Sequence, residues 1–210
     1  MKKAIQILKN IVQKILTDLL FTNYLSGLKK GSIAIDCGAN VGLISTKLAK
    51  TGAIVYSFEP NPYAFQKLVS RVSSFPNVEC INKGVWDRNT TMQLYFHQEA
   101  KNDDEFWSFG SSIMKNKGNV DKSRSVEVEL VDLTEFIEGL NSRVDLLKID
   151  IEGAECEVLE KFIQKNLHKK VGITLVETHD SKIEGQKART DRVRQLIREK
   201  GITNIKLSWL

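Results

Sequence analysis

IAIDCGANVG, residues 33–42, is followed closely by IVYSFEP, residues 54–60. In each stretch an apolar run typical of a buried strand ends in an acid, Asp36 in the first and Glu59 in the second. The glycine-bearing turn between them opens into a helical pattern over about residues 41–50. This order predicts a βαβ unit in which the first turn lets a ligand approach the backbone and the second acid binds ribose hydroxyls.

Two details of the turn favour S-adenosylmethionine over a dinucleotide as the ligand. A dinucleotide site needs three glycines in G-x-G-x-x-G so that pyrophosphate can approach the amides, but Asn40 replaces the middle glycine. Asp36 stands at the mouth of the turn, where a carboxylate repels phosphate and attracts the ammonium and sulfonium groups of S-adenosylmethionine. A nicotinamide or flavin dinucleotide and a degenerate site remain as alternatives.

Bulk composition is that of an ordinary globular protein. The chain has 210 residues, 41% hydrophobic and 27% charged, which suits one domain. Its three scattered cysteines lack metal-site spacing and predict reduced thiols in a cytoplasmic protein. The net charge of +5 comes largely from short lysine and arginine runs typical of solvated helix faces, so nucleic-acid binding is disfavoured.

An amphipathic helix is predicted at the N-terminus, within a helical extension over residues 1–30. Its apolar residues recur at helical spacing, at Ala4, Leu8, Ile11, Ile15 and Leu19. Polar residues between them interrupt any run long enough to span a bilayer. We expect this helix to pack on the domain itself; peripheral membrane contact and an oligomer contact, such as a homodimer, are the alternatives.

Strand and helix patterns alternate through the rest of the chain. Strands are predicted over residues 78–83, 145–150 and 171–177, and helices over residues 63–73, 154–164 and 185–200. This alternation predicts an α/β fold with a mostly parallel, twisted sheet flanked by helices and a cofactor-binding core over residues 31–180. Ligands of such sheets bind beyond the carboxyl ends of the strands. Those predicted ends carry Asp36, Glu59, Asn82, Asp150 and Glu177.

A long polar connection lies between strand patterns at residues 92–97 and 126–130, which we expect to pair or to extend the sheet. It covers residues 98–124 and contains FWSF at 106–109. Connections of this length in a compact domain are usually functional or disordered. We expect an acceptor-side loop whose aromatic cluster forms a lid over the acceptor; packing of the cluster in the core is the alternative.

LLKIDIEGAE, residues 146–155, is a second distinctive block. A buried strand ends here in three acids and a glycine turn. Capping of the next helix accounts for Glu155 at least as well as a ligand role does, whereas Asp150 is expected across the crevice from Asp36.

Together, DCGANVG at 36–42, FEPNP at 58–62 and LKIDIEGAE at 147–155 resemble the FkbM family of S-adenosylmethionine-dependent methyltransferases. The resemblance implies a class I Rossmann-like fold and methylation of a hydroxyl on a sugar, glycolipid, polysaccharide or natural product. It implies that the turn holds the methionine part of the cofactor, that Glu59 binds the ribose and that Asn82 lies near adenine. The implied cofactor-binding set is Asp36, Gly38, Ala39, Asn40, Gly42, Glu59, Pro60, Asn82 and Asp150.

Methyl transfer to an alcohol benefits from a general base, and the sequence offers Asp150 and His179. His179 follows the predicted strand at 171–177, although a local hydrogen-bonding role explains it equally well. Asp150 with Glu177 or Asp180 is an alternative Mg²⁺ site, which we do not favour. The competing functions are methylation of RNA and non-catalytic binding of S-adenosylmethionine. One strand pattern follows the last helix, so the sheet edge could be completed by a second copy of the chain.

Overall fold

The computed structural model describes residues 21–99, 110–180 and 183–207. In chain order, its elements are β1 (Ile33–Cys37), α1 (Leu43–Ala49), β2 (Ile54–Phe58), α2 (Pro62–Val72), β3 (Val78–Ile81), β4 (Gly84–Trp86), β5 (Thr90–His97), β6 (Val120–Asp132), α3 (Leu133–Gly139), β7 (Val144–Ile149), α4 (Glu155–Gln164), a 3₁₀ turn (Leu167–Lys169), β8 (Val171–Val176), α5 (Gln186–Glu199) and β9 (Ile205–Leu207).

The main sheet has six strands in the order β3-β2-β1-β7-β8-β9, and every neighbouring pair is parallel. The predicted α/β class with a mostly parallel sheet is confirmed. Strand order reverses beside β1, whose neighbours are β2 on one side and β7 on the other. A crevice therefore opens beyond the carboxyl ends of β1 and β7, at the switch point where α/β sheets bind ligands.

Both faces of this sheet are buried, as its nearly continuous apolar strands require. Ala34 and Ile35 are adjacent in β1, so their side chains point to opposite faces. Ala34 belongs to a core cluster with Phe21 and Leu48, and Ile35 belongs to a cluster with Phe162 of α4. Helices thus cover the sheet on both sides and leave its carboxyl edge as the accessible one.

A second sheet of three strands, in the order β4-β6-β5, lies apart from the main one. β5 and β6 are antiparallel, whereas β4 runs parallel to β6. The expectation that residues 92–97 and 126–130 pair is confirmed, but the predicted loop 98–124 is wrong over residues 120–124, which form the start of β6. After the buried Val120, this part of β6 is polar and only half-buried or exposed, so its sequence shows no apolar run. Residues 106–109, the predicted aromatic lid, lie outside the described residues.

The C-terminal edge of the main sheet is formed by β9, which pairs in parallel with β8 from Thr174↔Ile205 to Val176↔Leu207. At the other end of the described chain, residues 21–26 are helical and Phe21 is buried in the core. Most of the predicted amphipathic helix, residues 1–20, lies outside the described residues. Within the described ranges, no helix combines the length and the apolar character that crossing a membrane requires. All three cysteines are free thiols.

Candidate active site

A cavity of about 450 Å³ lies beyond the carboxyl ends of β1, β2 and β7. One wall carries the turn after β1 together with Glu59 and Pro60, and another carries Asp150 and Glu152. Apolar side chains of the second sheet, among them Leu94 and Leu130, close a further side. The volume lies within the range of small-ligand pockets, which bury most of their ligand against apolar walls and a few placed polar groups.

The backbone N–H groups of the turn after β1 are engaged within the protein. Gly38 and Ala39 donate to the carbonyl oxygen of Phe58 at 3.0 and 2.9 Å. Asn40 donates its backbone N–H to Glu59 Oε2 at 2.7 Å and has a left-handed φ of 49°. These amides are the donors that pyrophosphate would need. The turn therefore suits a cofactor without phosphate, as the sequence predicts.

Glu59 ends its strand with a buried carboxylate that also lines the cavity. Its Oε1 accepts the backbone N–H of Asn61 at 2.8 Å, which complements the bond from Asn40 to Oε2. Burial raises the pKa of Glu59 to about 7, although the two backbone donors favour the charged form. Two fixed bonds hold the carboxylate in place, and it has the lone pairs left to accept ribose hydroxyls.

Asp36 is fully buried behind the cavity wall. Its Oδ2 accepts a hydrogen bond from Ser45 Oγ at 2.7 Å, and its Oδ1 lies 3.3 Å from Lys148 Nζ. Lys148 also lies 3.4 Å from Asp150 Oδ2 and donates to the carbonyl oxygen of Gly38 at 2.8 Å. Although burial opposes its charge, the two carboxylates raise the pKa of Lys148 above its ordinary value. The cation that Asp36 contacts in this structure is therefore a lysine of the chain.

Lys148 is a residue that the sequence reasoning missed. A lysine inside an apolar strand between two acids is the signal that could have found it, since buried ammonium groups need carboxylate partners. Lys148 joins Asp36 of β1 to Asp150 after β7 and so couples the two sequence motifs. Burial raises the pKa of Asp150 and Lys148 opposes the rise.

The other predicted cofactor residues occupy different positions around the cavity. Ala39, Asn40 and Pro60 line it, whereas Gly42 is the left-handed N-cap of α1. Asn82 donates its side-chain amide to the carbonyl oxygens of Glu59 at 2.8 Å and Pro60 at 3.4 Å. These bonds hold the end of β2, so Asn82 supports the residues that line the cavity. Its predicted contact with adenine stays a prediction.

His179 lies in a buried group of carboxylates. Its Nδ1 is 2.9 Å from Glu155 Oε1, and its Nε2 is 3.1 Å from Glu152 Oε2. Although burial opposes a charge on the ring, the neighbouring carboxylates of Glu152 and Glu155 raise the pKa of His179 to about 10. Asp150 lines the cavity, whereas the ring of His179 is buried among carboxylates, so Asp150 is the better placed of the two predicted bases.

Glu152 is also held by Lys117, a side chain that is fully buried. Lys117 Nζ donates to Glu152 Oε2 at 2.5 Å and to the carbonyl oxygen of Gly110 at 2.8 Å. Although burial alone would raise it, the close contact with His179 and the hydrogen bond from Lys117 hold the pKa of Glu152 well below its usual range. The sequence reasoning missed Lys117, because its polar surroundings resemble a solvent-exposed loop.

The predicted partners of Asp150 in a metal site lie in different environments. Asp180 accepts the Thr190 hydroxyl at 2.5 Å and lies 3.3 Å from Arg194, so α5 engages its carboxylate. Glu177 instead faces the histidine, with Oε1 3.9 Å from His179 Nε2. Within the described residues, one ligand atom each from Asp150, Glu155 and His179 lie within 4.8 Å of one another.

These donors fit S-adenosylmethionine. Glu59 offers a fixed carboxylate for ribose hydroxyls, and apolar side chains line the cavity around it. Asp150 and Glu152 supply negative charge on the opposite wall, which suits a cationic ligand. A parallel sheet with such a cavity at its switch point is the architecture of Rossmann-like enzymes, and these donors suit S-adenosylmethionine as the cofactor.

The sequence profile of the methyltransferase FkbM domain matches residues 36–202, and the chain belongs to this family. The methyltransferase sdnD of Sordaria araneosa is 27% identical over 71% of this chain and 67% of its own length. The hexuronic acid methyltransferase AglP of Haloferax volcanii is 25% identical over 69% of this chain and 54% of its own length. The alignments therefore span between about half and two thirds of these relatives.

Solved structures with a similar fold include the Streptococcus mutans protein SMU.1697c in complex with SAH. It has a TM-score of 0.49 and 15% identity, over 86% of this chain and 80% of its own. The N-terminal domain of human METTL16, also in complex with SAH, has a TM-score of 0.42 and 13% identity, over 82% of this chain and 53% of its own.

Proposed function

We propose that this methyltransferase acts on a hydroxyl group of a carbohydrate or of a hydroxylated natural product. The observation that carries the proposal is that Asp150, an available proton acceptor, lines the same cavity as the predicted ribose-binding Glu59. A hydroxyl must lose its proton on methylation, so a carboxylate beside the reacting atoms serves a purpose in O-methylation. About a quarter of the Asp150 side chain is exposed, which leaves it open to an acceptor.

Each wall of the cavity then has a role. Glu59 binds the ribose hydroxyls, and the turn after β1 orients the methionine part. When bound, S-adenosylmethionine supplies a methyl group that its sulfonium already activates. Asp150 would accept the proton that the acceptor hydroxyl loses on methylation, with S-adenosylhomocysteine as the leaving group. The apolar side chains of the second sheet exclude water and align the acceptor, an effect that supplies on the order of 7–11 kcal/mol in well-oriented reactions.

The acceptor class is supported by the relatives and by the lining of the cavity. AglP is named for hexuronic acid, which makes a uronic-acid-containing glycan the first acceptor to test. Ser111 lines the cavity with a hydroxyl group that has no hydrogen-bond partner among the described residues, and it offers that group to a polyhydroxylated ring. This chain matches only part of the length of these relatives. Their acceptors therefore do not determine the acceptor of this protein, which has to be tested directly.

The test is formation of S-adenosylhomocysteine from S-adenosylmethionine with a panel of acceptors: hexuronic acid glycans, neutral glycans, hydroxylated natural products, amines and RNA. We expect turnover with a hydroxyl acceptor and a methyl ether in the product by mass spectrometry. Asp150→Asn should lower kcat by about 10²–10⁴-fold while cofactor binding persists. Asp191→Asn, which changes an exposed acid on α5, is the matched control and should keep full activity. Turnover confined to amines or RNA would overturn the proposal.

A further inference from the structure

A contact at Nδ1 fixes the orientation of the His179 imidazole. Nδ1 lies 2.9 Å from Glu155 Oε1, and the same oxygen accepts the backbone N–H groups of Ile151 at 3.2 Å and Gly153 at 3.0 Å. A carboxylate oxygen accepts hydrogen bonds, so Nδ1 carries the hydrogen. This is the arrangement by which proteins orient metal-binding histidines, whose second ring N–H is donated to a carboxylate or a carbonyl group.

The other ring nitrogen is buried without a hydrogen-bond partner in the described parts of the chain, and the side chain is 1% exposed. Three carboxylates surround it: Nε2 lies 3.1 Å from Glu152 Oε2, 3.8 Å from Asp150 Oδ1 and 3.9 Å from Glu177 Oε1. The contact with Glu152 is short but lacks hydrogen-bond geometry. A buried polar atom in this position calls for an explanation, since burying one unpaired is costly.

Acidic side chains outnumber cationic ones in this cluster, over the part of the chain that the structure describes. Among the described residues, its contacts join the carboxylates of Asp36, Asp150, Glu152, Glu155 and Glu177 to two ammonium groups, those of Lys117 and Lys148. Even an imidazolium at His179 leaves the acids in excess. A second positive charge on the Nε2 side would stabilise this arrangement, and a divalent cation supplies it.

Each separation between Nε2 and a carboxylate oxygen suits two ligands of one ion. Two ligand atoms about 2.1 Å from one metal lie about 3.1 Å apart at an angle near 95° and about 3.9 Å apart near 140°. The three nitrogen–oxygen distances from Nε2 fall within these limits. The side chains of Asp150, Glu152 and Glu177 are each between about a fifth and a third exposed, so an ion can reach them from solvent.

We propose that His179 Nε2, Asp150 and Glu177 bind a divalent transition-metal ion at the wall of the active-site cavity, with Glu155 as the orienting carboxylate and Glu152 beside it. One imidazole nitrogen with carboxylate oxygens is a mixed donor set, which favours Mn²⁺ or Fe²⁺ over Mg²⁺ and Ca²⁺, the ions that take oxygen ligands. The inferred catalytic use of the ion rests on the proposed function: a metal at Asp150 would coordinate the acceptor hydroxyl and lower its pKa.

The test is a titration of the full chain, freed of metal by chelation, with Mn²⁺. Electron paramagnetic resonance counts the Mn²⁺ left free in solution, and binding of S-adenosylhomocysteine is measured on the same samples. We expect one Mn²⁺ per chain. Glu177→Gln should weaken Mn²⁺ binding at least tenfold, and so should His179→Gln, while His168→Gln, a histidine in the 3₁₀ turn, should leave it unchanged.

Circular dichroism of each variant shows whether it is folded, and Glu177→Gln keeps the test decisive should His179→Gln unfold. An absence of Mn²⁺ binding at millimolar concentration would overturn the metal site, and so would binding that survives both substitutions. Because S-adenosylhomocysteine binding and hydroxyl methylation are measured without reference to Mn²⁺, they can succeed where the metal site fails. The experiments can therefore contradict the metal site without contradicting the proposed hydroxyl methylation, and the reverse is also possible.

Discussion

Gly38 packs so closely against Asp150 that a Cβ on Gly38 would lie 1.8 Å from the carbonyl oxygen of Asp150. This contact joins the turn after β1 to the end of β7, where β1 and β7 are paired in the sheet. Gly38 also has a φ of +77°, a region that side chains make costly. Position 38 therefore requires glycine because of its close contact with the motif at residues 147–155, and not only because of a bound cofactor.

Gly38→Ala is expected to destabilise the fold by roughly 2–5 kcal/mol, because the left-handed backbone and the clash with Asp150 each cost on the order of 1–3 kcal/mol. Urea denaturation followed by circular dichroism measures the change. Gly139→Ala is the matched control, since a Cβ there meets nothing within 4 Å and the position ends a helix. A Gly38→Ala variant as stable as Gly139→Ala would contradict the close contact.

Affinity for S-adenosylhomocysteine is expected to rise with pH through the titration of Glu59. Ribose hydroxyls donate to the ionised carboxylate, and burial places its pKa at about 7 in the free protein. Binding should therefore strengthen by about tenfold between about pH 6 and 8, as the ionised fraction grows. Isothermal titration calorimetry at both pH values tests this. Glu59→Gln should bind more weakly and lose the pH dependence, and an equal pH dependence in that variant would assign the titration to another group.

The same titration affects stability in the opposite sense when no ligand is bound. Glu59 has a folded pKa of about 7 and an ordinary value of 4.5, so its contribution to stability is full below about pH 4.5. That contribution is lost as the pH rises through about 7. Unfolding free energies of the wild type and Glu59→Gln should therefore converge towards low pH, with the variant gaining relative to the wild type above neutrality. Parallel curves across this range would contradict the raised pKa.

Lys148→Met is expected to cost about 3–5 kcal/mol of stability, because it leaves the buried carboxylate of Asp36 without its cation. Methionine keeps much of the apolar stem, so the loss reports on charge. Lys165→Met removes an exposed lysine paired with Glu138 and should change stability little. Chemical denaturation of both variants measures the change in the free energy of unfolding. If both variants lose an equally small amount, the hydrogen bond from Ser45 alone is enough to stabilise the Asp36 carboxylate.

Ser112→Ala is expected to loosen the segment that covers the cavity. Ser112 Oγ donates to the carbonyl oxygen of Glu152 at 2.6 Å and accepts the backbone N–H of Met114 at 3.0 Å, and the residue is buried. The loss should amount to about 1–3 kcal/mol. Hydrogen exchange of residues 110–120 should accelerate, and the KM for acceptor should rise more than the Kd for cofactor. Ser125→Ala, at an exposed serine on β6, is the control. If hydrogen exchange in Ser112→Ala is no faster than in Ser125→Ala, Ser112 does not hold this segment in place.

The sequence predicted the βαβ unit well because its signals are local. Alternating apolar runs and helical patterns predict a parallel sheet, and the turn with Asn40 in place of glycine disfavours a phosphate-containing cofactor on steric grounds. The strand pattern and the family motifs both predicted a ribose-binding role for Glu59, whose carboxylate lies at the cavity wall. The strand at residues 120–124 was missed since an exposed strand and a polar loop have the same composition.

Local patterns along the chain were therefore enough to predict the fold class, the family and the strand ends at which ligands bind. They did not predict which charged side chains meet there. Lys148 and Lys117 each reach a carboxylate far away in the chain, and His179 is oriented by Glu155 and faces Glu152, Asp150 and Glu177. Such pairings depend on burial and on distances between separate segments, and no local pattern in a sequence records either.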